Sequence, residues 1–239
     1  MKLVLQNPKI FTDIVTIISE LVVEVRLKVK PEGLSLTAFD PATVAMVHFK
    51  LPASLFSTFE VEKEEVLGVN LNNLKAVLRR CRPGTTLSFA REDNVLKITL
   101  QDKLRRDFGL ALIEINSEDK EVPQWEFDSV IKMNSEMFSE VIEDCSIVSD
   151  VCTLIAEPDR FIVEAKGLNS ARTEFTSDEV EIHSGSSMAR YSLEYINKFI
   201  KGSKISPKVT ISFSSKAPLK VDFSTGEVLL SFALAPRVE

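Results

Sequence analysis

Only two histidines and three cysteines occur among 239 residues. Cys81, Cys145 and Cys152 are odd in number and form no CxxC pair. That argues against a disulfide framework or a zinc site and fits a reducing intracellular setting. His48 and His183 are isolated, each in a strand-like run, so neither suggests a catalytic base. No Gly-rich phosphate loop, HExxH or GxSxG motif is present. Paired acids such as Glu143 and Asp144 have no apparent metal partner. No window approaches about eighteen consecutive apolar residues, and the start of the chain has no charged-then-apolar signal; both predict a soluble chain with no membrane span. Eight glycines and ten prolines leave no room for a long flexible linker. An excess of basic charge is missing too. The formal net charge is -6, unlike that of a simple nucleic-acid binder, although a net charge says nothing about one face.

What is present is a repeat. With 44% apolar residues, the chain can fill one large domain or two of about 120 residues. Ile10–Ala38 aligns without a gap on Met137–Ala165: Phe11 meets Phe138, Asp13 meets Glu140, Ile14 meets Val141, Ile18 meets Cys145 and Pro31 meets Pro158. Gly68–Leu78 then aligns on Arg190–Ile200, and Thr85–Phe89 on Val209–Phe213. Matches in the same order along both halves favour an internal duplication.

Each half reads as strand, helix, strands, helix, strands, an α+β pattern. Asn7 and Pro8 mark a helix start, and Ile10, Ile14, Ile17, Ile18 and Leu21 make its apolar face. Asn70 or Asn72 can cap a second helix with Leu71, Leu74, Val77, Leu78 and Cys81 on its buried side. Alternating runs at Val23–Val29, Leu34–Ala38, Val44–Lys50, Thr85–Ala90, Val95–Leu100 and Arg106–Ile113 predict strands. The expected divisions are 1–113, a polar connector 114–126, and 127–239.

These residues resemble the proliferating cell nuclear antigen (PCNA) family of DNA sliding clamps over essentially the whole chain. AFDPATVAMVHFKLP (Ala38–Pro52), LGVNL (Leu67–Leu71), VPQWEF (Val122–Phe127), APLKVDF (Ala217–Phe223) and LAPRVE (Leu234–Glu239) carry the resemblance. The ending lacks the longer acidic tail common in eukaryotic members, which points to an archaeal-type form. The resemblance implies two topologically similar domains, with helices lining the inner face of a trimeric ring and antiparallel sheets outside. It implies a scaffold with no catalytic residue and no cofactor or metal. The ring would encircle double-stranded DNA without sequence preference. DNA polymerase, the clamp loader, flap endonuclease and DNA ligase would bind through PCNA-interacting peptides. The expected location is cytoplasmic and nucleoid-associated, or nuclear in a eukaryotic source. The ring is expected to be a homotrimer or a heterotrimer of related subunits. An unrelated duplicated-fold enzyme or ligand-binding protein is the alternative from another class.

Helical spacing then picks out the stripes that would face DNA. Helix two offers Lys75, Arg79 and Arg82 with Arg80 beside them. Helix four offers Glu194, Lys198 and Lys201, with Lys204 just beyond. Helix one is near neutral at Thr12, Thr16 and Ser19, and helix three is acidic at Glu136, Glu140 and Glu143. The same pattern fits an ordinary solvated helix face. Matching positions for the peptide pocket are Phe39, Val44, Met46, Val122, Pro123, Pro218, Leu234, Ala235 and Pro236. Pattern alone does not separate a groove lining from a strand core. Lys120 stands where family members often carry an apolar residue. The subunit-interface edges implied by resemblance are a strand near Arg105–Ala111, with Arg105, Phe108 and Leu110, and a run near Thr173–His183, with Phe175, Val180 and Ile182. Without the resemblance both would read as internal strands.

Overall fold

The structure, a computed structural model, describes residues 1–116 and 121–237. The chain divides into two compact units: Met1–Pro41 with Val47–Glu121 and Gly226–Leu229, and Ala42–Met46 with Val122–Thr225 and Leu230–Glu239.

The first stretch runs β1 (Lys2–Leu5), α1 (Lys9–Ile18), β2 (Glu24–Lys30), β3 (Gly33–Phe39), β4 (Ala45–Pro52), β5 (Thr58–Glu60), β6 (Glu65–Asn70), α2 (Leu71–Leu78), β7 (Thr86–Glu92), β8 (Val95–Gln101) and β9 (Arg105–Ala111). One sheet has the order β5-β1-β7-β8-β9, and β4-β3-β2-β6 lie side by side in another. Alternation sets the faces: Leu87 and Phe89 on β7, and Leu96, Ile98 and Leu100 on β8, all point into the core. α1 buries Phe11, Ile14, Val15, Ile17 and Ile18. Phe11 meets Phe89 edge-on at 5.5 Å between ring centroids.

The helix caps follow from short polar side chains. The Asn7 carboxamide oxygen accepts from the Lys9 N–H at 3.2 Å. Of the two asparagines that could cap α2, Asn70 does so, accepting from the Asn73 N–H at 3.2 Å.

The second stretch repeats the plan: β10 (Ser129–Asn134), α3 (Ser135–Val148), β11 (Val151–Glu157), β12 (Arg160–Lys166), β13 (Ser170–Thr176), β14 (Glu181–Ser184), β15 (Ser187–Ser192), α4 (Leu193–Phe199), β16 (Lys208–Phe213), β17 (Leu219–Thr225) and β18 (Val228–Leu234). The sheets here are β13-β12-β11-β15 and the run β14-β10-β16-β17-β18. Aromatic rings fill the core: Phe199 stacks on Phe232 at 4.6 Å, and Phe161 on Phe175 at 6.2 Å.

Two expectations from the sequence differ from the fold. The run expected as one edge near Thr173–His183 is two strands, β13 and β14, in different sheets. A turn separates them, in which the Val180 N–H donates to the Thr176 carbonyl at 3.1 Å. Helix four is also shorter than its charge spacing implied. The α-helix stops at Phe199, and Ile200–Lys204 tightens into a 3-10 turn. At about three residues per turn, Lys201 and Lys204 fall on one side of that turn.

Gly202 explains the tight turn. A methyl group there would fall inside the Phe223 ring, so only glycine lets this backbone lie on the aromatic core. Gly202→Ala is expected to lower the urea or thermal unfolding free energy by about 1–3 kcal/mol through overpacking. An unchanged unfolding midpoint would contradict this packing.

Candidate functional site

Three surfaces carry the residues singled out above. The first is basic. In α2, burying Leu71, Leu74, Val77 and Leu78 turns the opposite side, with Lys75, outward. The chain after α2 tightens, with Arg80 and Cys81 donating to Val77 and Leu78. Arg79, Arg80 and Arg82 therefore cluster at the helix C-terminus, where cations oppose the negative end of the dipole. Lys75 is half-buried and donates to the Ser19 hydroxyl at 2.8 Å, tying α2 to α1. Part of the local charge is balanced. Asp102 sits below the usual carboxylate range, held first by the Leu104 N–H and then by Arg106 and Arg82. Arg106 pairs with Asp102 and also donates to the Arg80 carbonyl at 3.3 Å.

In the second unit, Lys198 bonds Glu194 at 3.3 Å and lies 5.1 Å from the centre of the Tyr195 ring. Lys201 and Lys204 are exposed on the turn that follows. Next to α4, α3 exposes Glu136, Glu140 and Glu143. Glu136 lies in the first turn, at the favourable end of the dipole; Glu140 and Glu143 have no such compensation. The expected α1 stripe is not an open face: Ser19 is buried, and Thr16 and Ser19 donate back to their own helix carbonyls.

The second surface is apolar. Val44, Met46, Val122, Pro123, Pro218, Leu234, Ala235 and Pro236 all belong to the second unit, while Phe39 belongs to the first. The Ala235 N–H donates to the Val44 carbonyl at 2.9 Å, which brings those two together. Met46 and Leu234 are buried, Val44, Pro123 and Ala235 are exposed, and Phe39, Val122, Pro218 and Pro236 are half-buried. Of the connector, residues 117–120, Lys120 among them, lie outside the described residues, as do Val238 and Glu239. Sequence reasoning missed Thr43, which has φ 60 just before Val44. A β-branched residue gives no signal for this conformation; a glycine or asparagine there would have.

The third surface is a pair of sheet edges. Among the described residues, β9 pairs only with β8, and β13 only with β12, so each has a side of backbone N–H and C=O groups without a strand partner there. Arg105 is exposed, with Phe108 and Leu110 half-buried. Phe175 and Val180 are each 5% exposed, so their side chains face their own core. Ile182 lies half-buried on β14. Behind β13, Glu164 is 6% exposed and accepts from Lys166 at 2.6 Å and Arg172 at 3.0 Å. Lys166 first, then Arg172, hold its carboxyl below the usual range.

Among the described residues, two buried polar atoms, Thr12 Oγ1 and Arg106 Nε, have no hydrogen-bond partner. His48 is buried and shares a 2.9 Å hydrogen bond with Thr37, and His183 lies exposed beside Glu181. No helix among the described residues is long and apolar enough to cross a membrane.

Comparison with known proteins covers the whole chain. Residues 1–121 match the family model "Proliferating cell nuclear antigen, N-terminal domain", and residues 121–238 match its C-terminal counterpart. A "DNA polymerase sliding clamp" of Thermococcus fumicolans is 33% identical over 100% of this chain and 98% of that protein. The protein of the same description from Pyrococcus abyssi is 32% identical with the same coverage. The crystal structure of proliferating cellular nuclear antigen from Entamoeba histolytica superposes with a TM-score of 0.92 at 22% identity, covering 99% of this chain and 98% of that one.

The Glu164 cluster sets a pH dependence. Its folded pKa is depressed, so its stabilisation is fully present above the unfolded carboxylate value of about 4.3. It fades as pH falls through the lower folded value. Glu164→Gln should cost about 1–2 kcal/mol near pH 7. The gap from wild type should close in acid unfolding curves; a gap independent of pH would contradict the ion-pair origin.

Proposed function

Because the chain belongs to the proliferating cell nuclear antigen family, and is therefore a DNA sliding clamp and not an enzyme, we propose that copies of it close into a trimeric ring around duplex DNA. The observation that carries this reading is the pair of open strand edges, β9 and β13, on a twofold-repeated chain. Open edges invite uncontrolled pairing, and a head-to-tail contact that closes on itself removes them. The three proposed parts of the subunit are an N-terminal domain 1–113, a connector 114–126 and a C-terminal domain 127–239. The family resemblance supports a cytoplasmic, nucleoid-associated location.

Lys75, Arg79, Arg80, Arg82, Lys198, Lys201 and Lys204 are the residues proposed to face the duplex. They are not equivalent. Lys75 and Lys198 are already engaged by Ser19 and Glu194, and Arg82 lies in the field of Asp102, so Arg79 and Lys204 carry more of the free charge. A weak field suffices, because a closed ring is held by topology. Contacts to phosphates release counterions and carry no sequence information, which suits a protein that slides.

The apolar surface is proposed to receive the partner peptides of DNA polymerase, clamp loader, flap endonuclease and DNA ligase. Buried Met46 and Leu234 would form its floor, with exposed Val44 and Ala235 at the rim. An extended peptide would anchor an apolar side chain there and use backbone bonds along the connector.

A second reading, a subunit of a heterotrimer specialised for particular partners, is favoured by one observation. Exposed Glu136, Glu140 and Glu143 would repel phosphates in a ring built from this chain alone, unless DNA leans toward the basic helices.

Retention on circular but not linear DNA, measured against salt, tests the clamp reading. Arg79→Ala combined with Lys204→Ala should leave folding intact and flatten the salt dependence, by about one unit of slope for each phosphate no longer neutralised. An unchanged slope would remove these residues from the DNA face. Equal retention on linear DNA would contradict encirclement.

A further inference from the structure

Among the cations proposed to face the duplex, Lys198 is held by its own helix. α4 buries Leu193, Ile196 and Phe199, which turns Glu194 and Lys198, one helical turn apart, to the outward side. The Glu194 carboxylate accepts from the Lys198 ammonium at 3.3 Å, and that ammonium lies 5.1 Å from the centre of the Tyr195 ring. Asn197 donates to the Ser146 hydroxyl of α3 at 2.9 Å, so the backbone beneath the pair is tied down. We propose that Glu194 is a built-in counterion that holds Lys198 between phosphate contacts and so sets how firmly the clamp grips the duplex. The inference rests on the ring reading above and names a residue that tunes it.

Exposure decides which partner moves. The Glu194 side chain is 73% exposed, that of Lys198 only 27%. With its ammonium over the Tyr195 ring, the lysine already has little rotamer freedom left to lose. The carboxylate stands in water and can swing away. An exposed pair of this kind contributes little to stability, so an arriving phosphate displaces Glu194 at small cost. When that phosphate moves on, Glu194 takes the ammonium back. The lysine passes from one phosphate to the next without losing its counter-charge, which lowers the barrier between successive positions of the duplex.

A pair that only stabilised the helix would occupy the same positions. Glu194 lies in the first turn and Lys198 in the last, each at the favourable end of the dipole, and glutamate four residues before lysine is the better order. What sets this pair apart is its place in the chain. Lys201 and Lys204 follow directly in the 3-10 turn, so Glu194 subtracts charge from the start of a cationic run. At Lys198 the duplex then exchanges one anion for another instead of adding a new ion pair. The two roles differ in what they do to DNA binding: a helix pair leaves it alone, whereas a counterion weakens both the grip and its dependence on salt.

Glu194→Gln should unfold near the wild-type midpoint, because the pair is exposed. On circular DNA it should be held about twofold more tightly for each Lys198 engaged, with a salt slope steeper by up to about one unit per engaged lysine. Single-molecule diffusion along the duplex should slow by a similar factor. Lys198→Ala should flatten the slope, and Glu194→Gln combined with Lys198→Ala should behave as Lys198→Ala alone. Glu194→Gln that matches wild type in grip, slope and diffusion would overturn the inference. A gain in grip that persists without Lys198 would overturn it as well, since Glu194 would then act as a general repulsive charge. Wild-type chain retained equally on linear and circular DNA would overturn the ring reading beneath it.

Discussion

Backbone hydrogen bonding at a strand edge is the constraint from which the rest follows. Strands inside the sheets meet a neighbour on both sides, whereas β9 and β13 each stand at the end of a sheet. Their outward N–H and C=O groups must be met by water or by another chain. Each half also ends sheets on further strands, β5 and β6 in the first and β14 and β15 in the second; β9 and β13 are the two proposed to meet. Two unlike edges on one chain make a head-to-tail contact, and a head-to-tail contact with the right rotation closes into a ring. A ring gives a clamp its function without any catalytic group, since encirclement replaces affinity.

The helices then take their role from what the sheets leave. In α2, burial of Leu71, Leu74, Val77 and Leu78 turns the cationic side outward; in α4, burial of Leu193, Ile196 and Phe199 does the same. The charge is distributed unevenly, with arginines after α2, lysines on the turn after α4, acids on α3, and little on α1. A chain of net charge -6 can bind a polyanion in this way, because only local potential matters at the contact. The tight approach of Gly202 to Phe223 shows how core packing fixes the lysine-bearing turn.

Much of this was legible in the sequence. The gapless match of Ile10–Ala38 on Met137–Ala165 exposed the duplication, and the apolar stripes gave the helix faces because burial dictates their period. The cap of α2 was narrowed to two asparagines and fell to Asn70. Other features were not legible because they depend on contacts distant in sequence. Where α4 tightens is set by the Phe223 ring. That the run from Thr173 to His183 splits between two sheets is set by strand pairing, so Phe175 and Val180 turned out to face their own core. Thr43 offered nothing to read, since its positive φ is imposed by the turn around it.

Amide hydrogen exchange of β9 and β13, followed across a dilution series alongside solution mass, tests the edge pairing most directly. The account predicts that amides in Arg105–Ala111 and Ser170–Thr176 lose protection together as the assembly dissociates, while those of β7 and β8 stay protected. Edge amides that exchange equally fast in the assembled and dissociated states would contradict it.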